Sequence, residues 1–157
     1  MNIEDSLPST PAPKPLTVHA FTVANDPALA AQAFALRRAV FVEEQGVPAA
    51  LEYGHEAEAR HYLLTLDSQP VATGRWRETE SGIKLERFAV LPAFRNRGVG
   101  AHLLHAVLRE VKPLGRPIYL NAQVRAVPFY ERHGFVRVGE PFTEAGIVHF
   151  KMHFGTD

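Results

Sequence analysis

A pair of glycines set between a strand and a helix constrains this chain more than any other feature. From Leu85 to Val111 the sequence reads LERFAVLPAFRNRGVGAHLLHAVLREV. A strand is predicted up to Val90. Beyond it Val99, Leu103, Val107 and Val111 recur every four residues with Leu104 and Leu108 beside them. That spacing predicts an amphipathic helix whose polar side carries His102, His105 and Arg109. Between the two elements Arg95, Asn96, Arg97, Gly98, Val99 and Gly100 spell R-x-x-G-x-G. Without side chains at Gly98 and Gly100, an anion can approach the backbone closely. The first N–H groups of a helix have no intrahelical partner and point out of it with positive potential. A strand leading to glycines that open a helix is therefore the setting of a phosphate cradle. The bland alternative is a structural turn leading into a buried helix. The pattern lacks the G-K-[ST] ending of a nucleoside triphosphate loop and the G-x-G-x-x-G of a dinucleotide fold.

Composition narrows the remaining classes. With 157 residues and 46% hydrophobic content the chain can bury one core, so one domain is expected over residues 16–157. Seventeen basic residues balance seventeen acidic ones. No global field draws the chain to nucleic acid or to an anionic membrane, and an anion site has to be local. Arg75, Arg77, Arg87, Arg95 and Arg97 supply that locality. Cysteine is absent, which excludes disulfides, thiolate metal sites and a cysteine nucleophile. No apolar run has the length of a membrane span and the N-terminus lacks a signal pattern, so a cytoplasmic location is expected.

In chain order, residues 1–15 carry four prolines and few large apolar groups, and are expected to form a disordered tail. Leu16–Val23 alternates like a strand. Asp26 and Pro27 are a helix N-cap and first-turn pair, and the Ala-rich run after them predicts a helix to about Val42, ending before Gly46 and Pro48. Residues 43–60 give no clear element, apart from room for a second short helix. His61–Leu66, Val71–Glu78 and Ile83–Val90 are strands joined by the short turns DSQP and ESG, which implies an antiparallel meander. Ile118–Ala122 reads as a buried strand parallel to the one ending at Val90, reached through the helix by a right-handed crossover. A helix from about Ala126 to His133 stops at Gly134. Phe135–Val138 and Ile147–Phe154 close the chain as a hairpin, with Val148, Phe150, Met152 and Phe154 on one face and His149, Lys151 and His153 on the other. The fold class is thus α/β (α+β), a mixed, mostly antiparallel sheet with helices on both faces.

FAVLPAFRNRGVGAHLL resembles motif A of the GNAT superfamily of N-acetyltransferases, and AQVRAVPFYERHGFVRVGE resembles its motif B. The two occur in the family's order, about 30 residues apart. LRRAVFVEEQGVP, from Leu36 to Pro48, is similar to the ElaA/YjcF-like branch. The resemblance covers roughly residues 30–154. It implies that the two central parallel strands splay apart and that acetyl-CoA enters the opening as co-substrate. Backbone groups of the Phe88, Ala89 and Val90 segment would hold pantetheine and acetyl. Arg95, Asn96, Arg97, Gly98, Val99, Gly100 and Ala101 would hold the pyrophosphate, with Gln123 and Phe129 from motif B beside the cofactor. Gln123 stands where motif B commonly has asparagine.

The resemblance also implies roles in acetyl transfer. Tyr130 matches the tyrosine that protonates the departing thiolate; the alternative is an aromatic core residue beside Phe129. Glu86 matches a carboxylate that deprotonates the amine; an exposed strand carboxylate is the alternative. Glu43, Glu44 and Glu52 could instead be counter-charges for an amine. Arg75, Arg77 and Arg87 could bind an acid or phosphate group on the acceptor, or make surface pairs. No metal is expected: His102 and His105 read as solvated, His149 and His153 as surface residues, and His133 as a cation favoured at a helix end. Ser68 and Ser81 lie outside any G-x-S-x-G elbow. The implied activity is an N-acetyltransferase acting on a small-molecule or protein amine, compatible with a homodimer. A non-catalytic acyl-CoA binding module is the rival.

Overall fold

Seven short extended runs build one sheet here. The computed structural model describes residues 15–155, so the tail expected over residues 1–15 lies outside the described residues except for Pro15. The seven strands are β1 (Leu16–Phe21), β2 (Arg60–Leu66), β3 (Gln69–Thr79), β4 (Gly82–Val90), β5 (Ile118–Gln123), β6 (Phe135–Glu144) and β7 (Ile147–Phe154), in the order β1-β2-β3-β4-β5-β7-β6. β1 to β4 are the expected meander, and Asp67 and Ser68 take the positive φ of a two-residue hairpin turn.

The crossover helix α3 (Val99–Val111) sends β5 back parallel to β4. That pairing covers only Ile83↔Ile118 to Leu85↔Leu120. Beyond it both strands continue, β4 to Val90 and β5 to Gln123, with no register between them. The parallel pair is splayed, as the family resemblance implied.

Two apolar layers sandwich the sheet. On one side Tyr62, Leu64, Ala72 and Leu85 pack against Val99, Leu103, Leu104, Val107, Leu108 and Val111 of α3. Leu103, Leu104 and Val107 are at most 1% exposed, each worth roughly 2 kcal/mol of burial. On the other side Phe21, Leu63 and Ala89 lie under Ala30, Ala33, Leu36 and Val40. The first three come from α1 (Pro27–Arg37), capped by Asp26, whose Oδ1 accepts from the Leu29 N–H at 3.0 Å, and Val40 from the turn that continues it. No helix of the described residues is long and apolar enough to cross a membrane.

Several boundaries depart from expectation. β1 stops at Phe21 because Thr22 and Asn25 bond each other's backbone N–H groups and turn the chain. The first helix is α-helical only to Arg37 and continues as a π-helix, Arg38–Glu44, in which the Gln45 N–H reaches back to the Val40 carbonyl at 3.1 Å. A single turn, α2 (Ala49–Glu52), follows. β6 runs on past Val138 to Glu144, with its register broken between Val138 and Phe142, where Pro141 has no N–H to give.

Candidate active site

The turn after β4 is built as an anion site. Asn96 (φ 63°) and Gly98 (φ 76°) both sit in the left-handed region, and α3 starts without a side-chain cap. A Cβ added at Gly98 would meet nothing within 4 Å, so open space lies in front of the turn. At Gly100 a Cβ would stand 3.5 Å from Val90 and 3.7 Å from Phe129, which places those side chains along the start of the helix. Arg97 is exposed, its guanidinium 5.8 Å above the Phe94 ring. These groups fit a pyrophosphate.

Arg95 departs from the expected cradle. Its Nε donates to the Val90 carbonyl at 2.9 Å, and both Nη atoms bind the Glu44 carboxylate at 2.7 Å. The side chain is committed to the π-helix, and the Val90 carbonyl is taken as well. At the opposite strand Gln123 donates to the Gln45 side chain at 2.7 Å. Glu44 and Gln45 therefore clasp residues from both sides of the splay. Sequence reading gave no role to Gln45, and weighed Glu44 only as an amine counter-charge. Gln123, Val124, Arg125, Ile147, Glu44 and Gln45 line a cavity of about 340 Å³ at that mouth.

Between Thr73 and Arg75 of β3 the register with β4 slips, so Arg87 and Phe88 together face Gly74. This is a β-bulge, the device that re-aims a side chain beside a site. The Phe88 ring covers Gly74 so closely that a Cβ there would stand 3.0 Å from it. Phe88 also lies beyond the last β4–β5 pair, which leaves its backbone outside both registers. Ala89 is buried under α1 and offers only backbone.

Tyr130 sits in α4 (Val127–Arg132), its ring edge-on to Phe129 at 5.2 Å and Phe135 at 5.6 Å. The residue is partly buried against the α3 core. Burial raises its pKa, so the phenol keeps its proton.

The α1 side of β3 and β4 carries an ion cluster that sequence reading did not assemble. Arg37, 1% exposed, donates to Glu52 Oε1 at 2.6 Å and to both oxygens of Glu56 at 2.9 and 2.8 Å. Arg75 bonds Glu56 and the Gly54 carbonyl, and its Nη2 lies 3.0 Å from Glu86. Arg77 donates to Glu86 at 2.7 Å, and Lys84 stands 3.3 Å from its other oxygen. Burial pushes the Glu86 carboxyl up, but the Arg77 hydrogen bond and the charges of Arg75, Lys84 and Arg77 outweigh it and hold the pKa at about 2. A carboxylate that reluctant to take a proton is a poor base, and buried beneath its partners it is not an exposed strand residue either. The surface pairs expected of Arg75 are likewise replaced by buried ones.

The remaining candidates divide. Glu52 is consumed by Arg37, while Glu43 stays at the surface, 3.9 Å from Arg38. His105 pairs with His133 at 3.1 Å rather than with His102, and desolvation, then His105 and Arg132, lower the His133 pKa, against the cation-favouring helix end expected there. His149 is 8% exposed and stacks on Phe142, not at the surface. The described residues contain no cluster of three or more metal-ligating side chains.

A mixed sheet that parts between two parallel strands, with a glycine turn opening the crossover helix, defines the GNAT class of acetyltransferase folds. The chain matches the family described as Acetyltransferase (GNAT) domain over residues 25–155, and it belongs to that family. It is 42% identical over 123 residues to Uncharacterized N-acetyltransferase YjcF of Bacillus subtilis (strain 168), covering 76% of this chain and 88% of that protein. Among solved structures, Escherichia coli ElaA superposes with a TM-score of 0.79 at 27% identity, over 88% of this chain and 99% of that one. An acyl-CoA N-acyltransferase from Pseudomonas aeruginosa gives 0.77 at 27% identity, over 90% and 100%. The chain lies in the ElaA/YjcF-like branch of the family.

Proposed function

We propose that this chain is an acetyl-CoA-dependent N-acetyltransferase acting on a primary amine in a ternary complex in the cytoplasm. The observation that carries the reading is the parting of β4 and β5 after Leu85 and Leu120, bordered by the open turn at Gly98. The Pseudomonas aeruginosa relative, an acyl-CoA N-acyltransferase, supports the donor class. Bound acetyl-CoA supplies an activated thioester. The helix-start N–H groups and Arg97 neutralise its phosphates, and the unregistered backbone at Phe88 orients the acyl end. Tyr130, kept protonated by burial, gives its proton to the sulfur as the C–S bond breaks and the C–N bond forms. With Glu86 held as a carboxylate by its cations, the amine attacks in its neutral form, and the proton its nitrogen sheds as the amide forms restores the Tyr130 phenol while CoA leaves as the thiol.

The test pairs calorimetric titration of acetyl-CoA with a screen of amines for thiol release. Saturable binding that weakens for dephospho-CoA, together with amine-dependent thiol release, is the expected result. Tyr130→Phe should lower kcat about a hundredfold with acetyl-CoA affinity unchanged; undiminished turnover would remove Tyr130 from the mechanism. The locked state of Glu86 favours the second reading, a non-catalytic acyl-CoA binding module. Binding without thiol release for any amine would select it.

A further inference from the structure

The ion cluster beneath α1 has cations to spare. Among the described residues, Arg37, Arg75, Arg77, Lys84 and Arg87 face only Glu52, Glu56 and Glu86. His61 adds no balancing negative charge: its Nε2 lies 2.9 Å from the Glu56 carbonyl, and burial lowers its pKa. Four of the cations have a carboxylate oxygen within 3.3 Å, whereas Arg87 has none. Its nearest is Glu52 Oε1 at 3.7 Å, an oxygen already accepting from Arg37 at 2.6 Å. Arg87 Nε donates to the Glu52 backbone carbonyl at 3.1 Å, and Nη1 and Nη2 have no hydrogen-bond partner among the described residues.

The backbone at this arginine is also unusual. Arg87 holds φ 58° at the β4 bulge, a conformation that glycine takes freely and arginine does not. The bulge keeps a strained residue whose side chain is 29% exposed and reachable. Two buried polar atoms nearby lack a hydrogen-bond partner: Arg75 Nη2, which still stands within ion-pair range of Glu86 at 3.0 Å, and Glu52 Oε2, an acceptor without a donor. Each belongs to a side chain at most 1% exposed, so the cluster is incomplete as it stands. A planar guanidinium with two free nitrogens matches a carboxylate in bidentate fashion.

We propose that the acceptor is an amine that also bears a carboxylate, and that Arg87, on the β4 bulge one residue before Phe88, binds that carboxylate. This deepens the acetyltransferase reading and rests on it for the amine. The carboxylate supplies the missing negative charge beside the strand that holds the acyl end, and fixes the amine at one distance from it.

The experiment compares amino acids with their carboxamides and their aminophosphonate analogues as acceptors at saturating acetyl-CoA, for the wild-type chain, Arg87→Gly and Arg87→Lys. The carboxylates should show kcat/KM at least tenfold above the carboxamides. Arg87→Gly should erase that preference through KM, leave acetyl-CoA affinity within twofold, and melt no lower than wild type, because glycine fits φ 58°. Arg87→Lys should keep part of the preference. A purely structural arginine would instead lower the melting temperature and leave the preference intact. Calorimetry of N-acetyl amino acids against N-acetyl amino amides, titrated into the CoA-bound protein, gives a readout without turnover. Carboxylate-dependent binding lost in Arg87→Gly supports the site even where no amine is acetylated, the case in which the transferase reading alone fails. Acetylation that favours carboxamides or phosphonates, or a preference unmoved in Arg87→Gly, overturns the carboxylate site and leaves the transferase reading standing. Absence of both thiol release and carboxylate-dependent binding overturns the two together.

Discussion

Burial alone would raise the Glu86 carboxyl, yet Arg77, Arg75 and Lys84 bring it from an ordinary 4.5 to about 2, and the difference is a stability statement. Because the folded value is depressed, the contribution is fully present above pH 4.5 and is lost as pH falls through about 2. Glu86→Gln should cost roughly 3 kcal/mol at pH 7, since it also leaves buried cations uncompensated. Urea denaturation at pH 7, 4 and 2.5 measures it. The gap between wild type and variant should narrow steadily below pH 4.5, and a gap that stayed constant would show that packing, not charge, holds Glu86. Little of this could be read from sequence. Glu86 meets Arg75 across a strand pair 11 residues away, while Arg37 reaches Glu56 over 19. An arginine on the buried face of a helix reads in a linear sequence as an interruption of the apolar stripe.

At the scale of elements, the strand, turn and helix from Leu85 to Val111 were legible because each has its own period and the glycines mark the joint. The π-helix was not. AVFVEE continues the apolar spacing of α1 well enough that a helix to about Val42 is the natural reading, and nothing in its composition distinguishes a wider turn. The widening nonetheless brings Glu44 onto Arg95 and Gln45 onto Gln123, across the two sides of the splay. Glu44 thus places a negative charge beside the turn proposed to hold phosphates, and occupies the arginine that opens the motif. Glu44→Gln is expected to tighten acetyl-CoA binding about threefold, the scale of one exposed ion pair. Calorimetry decides the sign. Weaker binding would mean that the Glu44–Arg95 pair builds the cradle instead of masking it.

The whole molecule reports on the cradle through its stability, since anything that binds the folded chain alone shifts the unfolding equilibrium. At a hundred times its dissociation constant, acetyl-CoA should stabilise the fold by about 2.7 kcal/mol. For a domain of this size that is roughly 8 °C in Tm. Substitutions at Gly98 separate backbone strain from blockage, because a Cβ there meets nothing within 4 Å while φ is 76°. Gly98→Ala should lower the Tm of the free protein by the strain alone, roughly 1 kcal/mol, and keep most of the ligand-induced rise. Gly98→Glu carries the same strain but sets a carboxylate in the open space before α3, so its free Tm should match that of Gly98→Ala while acetyl-CoA raises it by less than about 2 °C. Thermal melts of the three proteins with and without acetyl-CoA test this directly. If Gly98→Glu kept the full rise, the anion would bind elsewhere on the fold, and the R-x-x-G-x-G turn would be only a helix start.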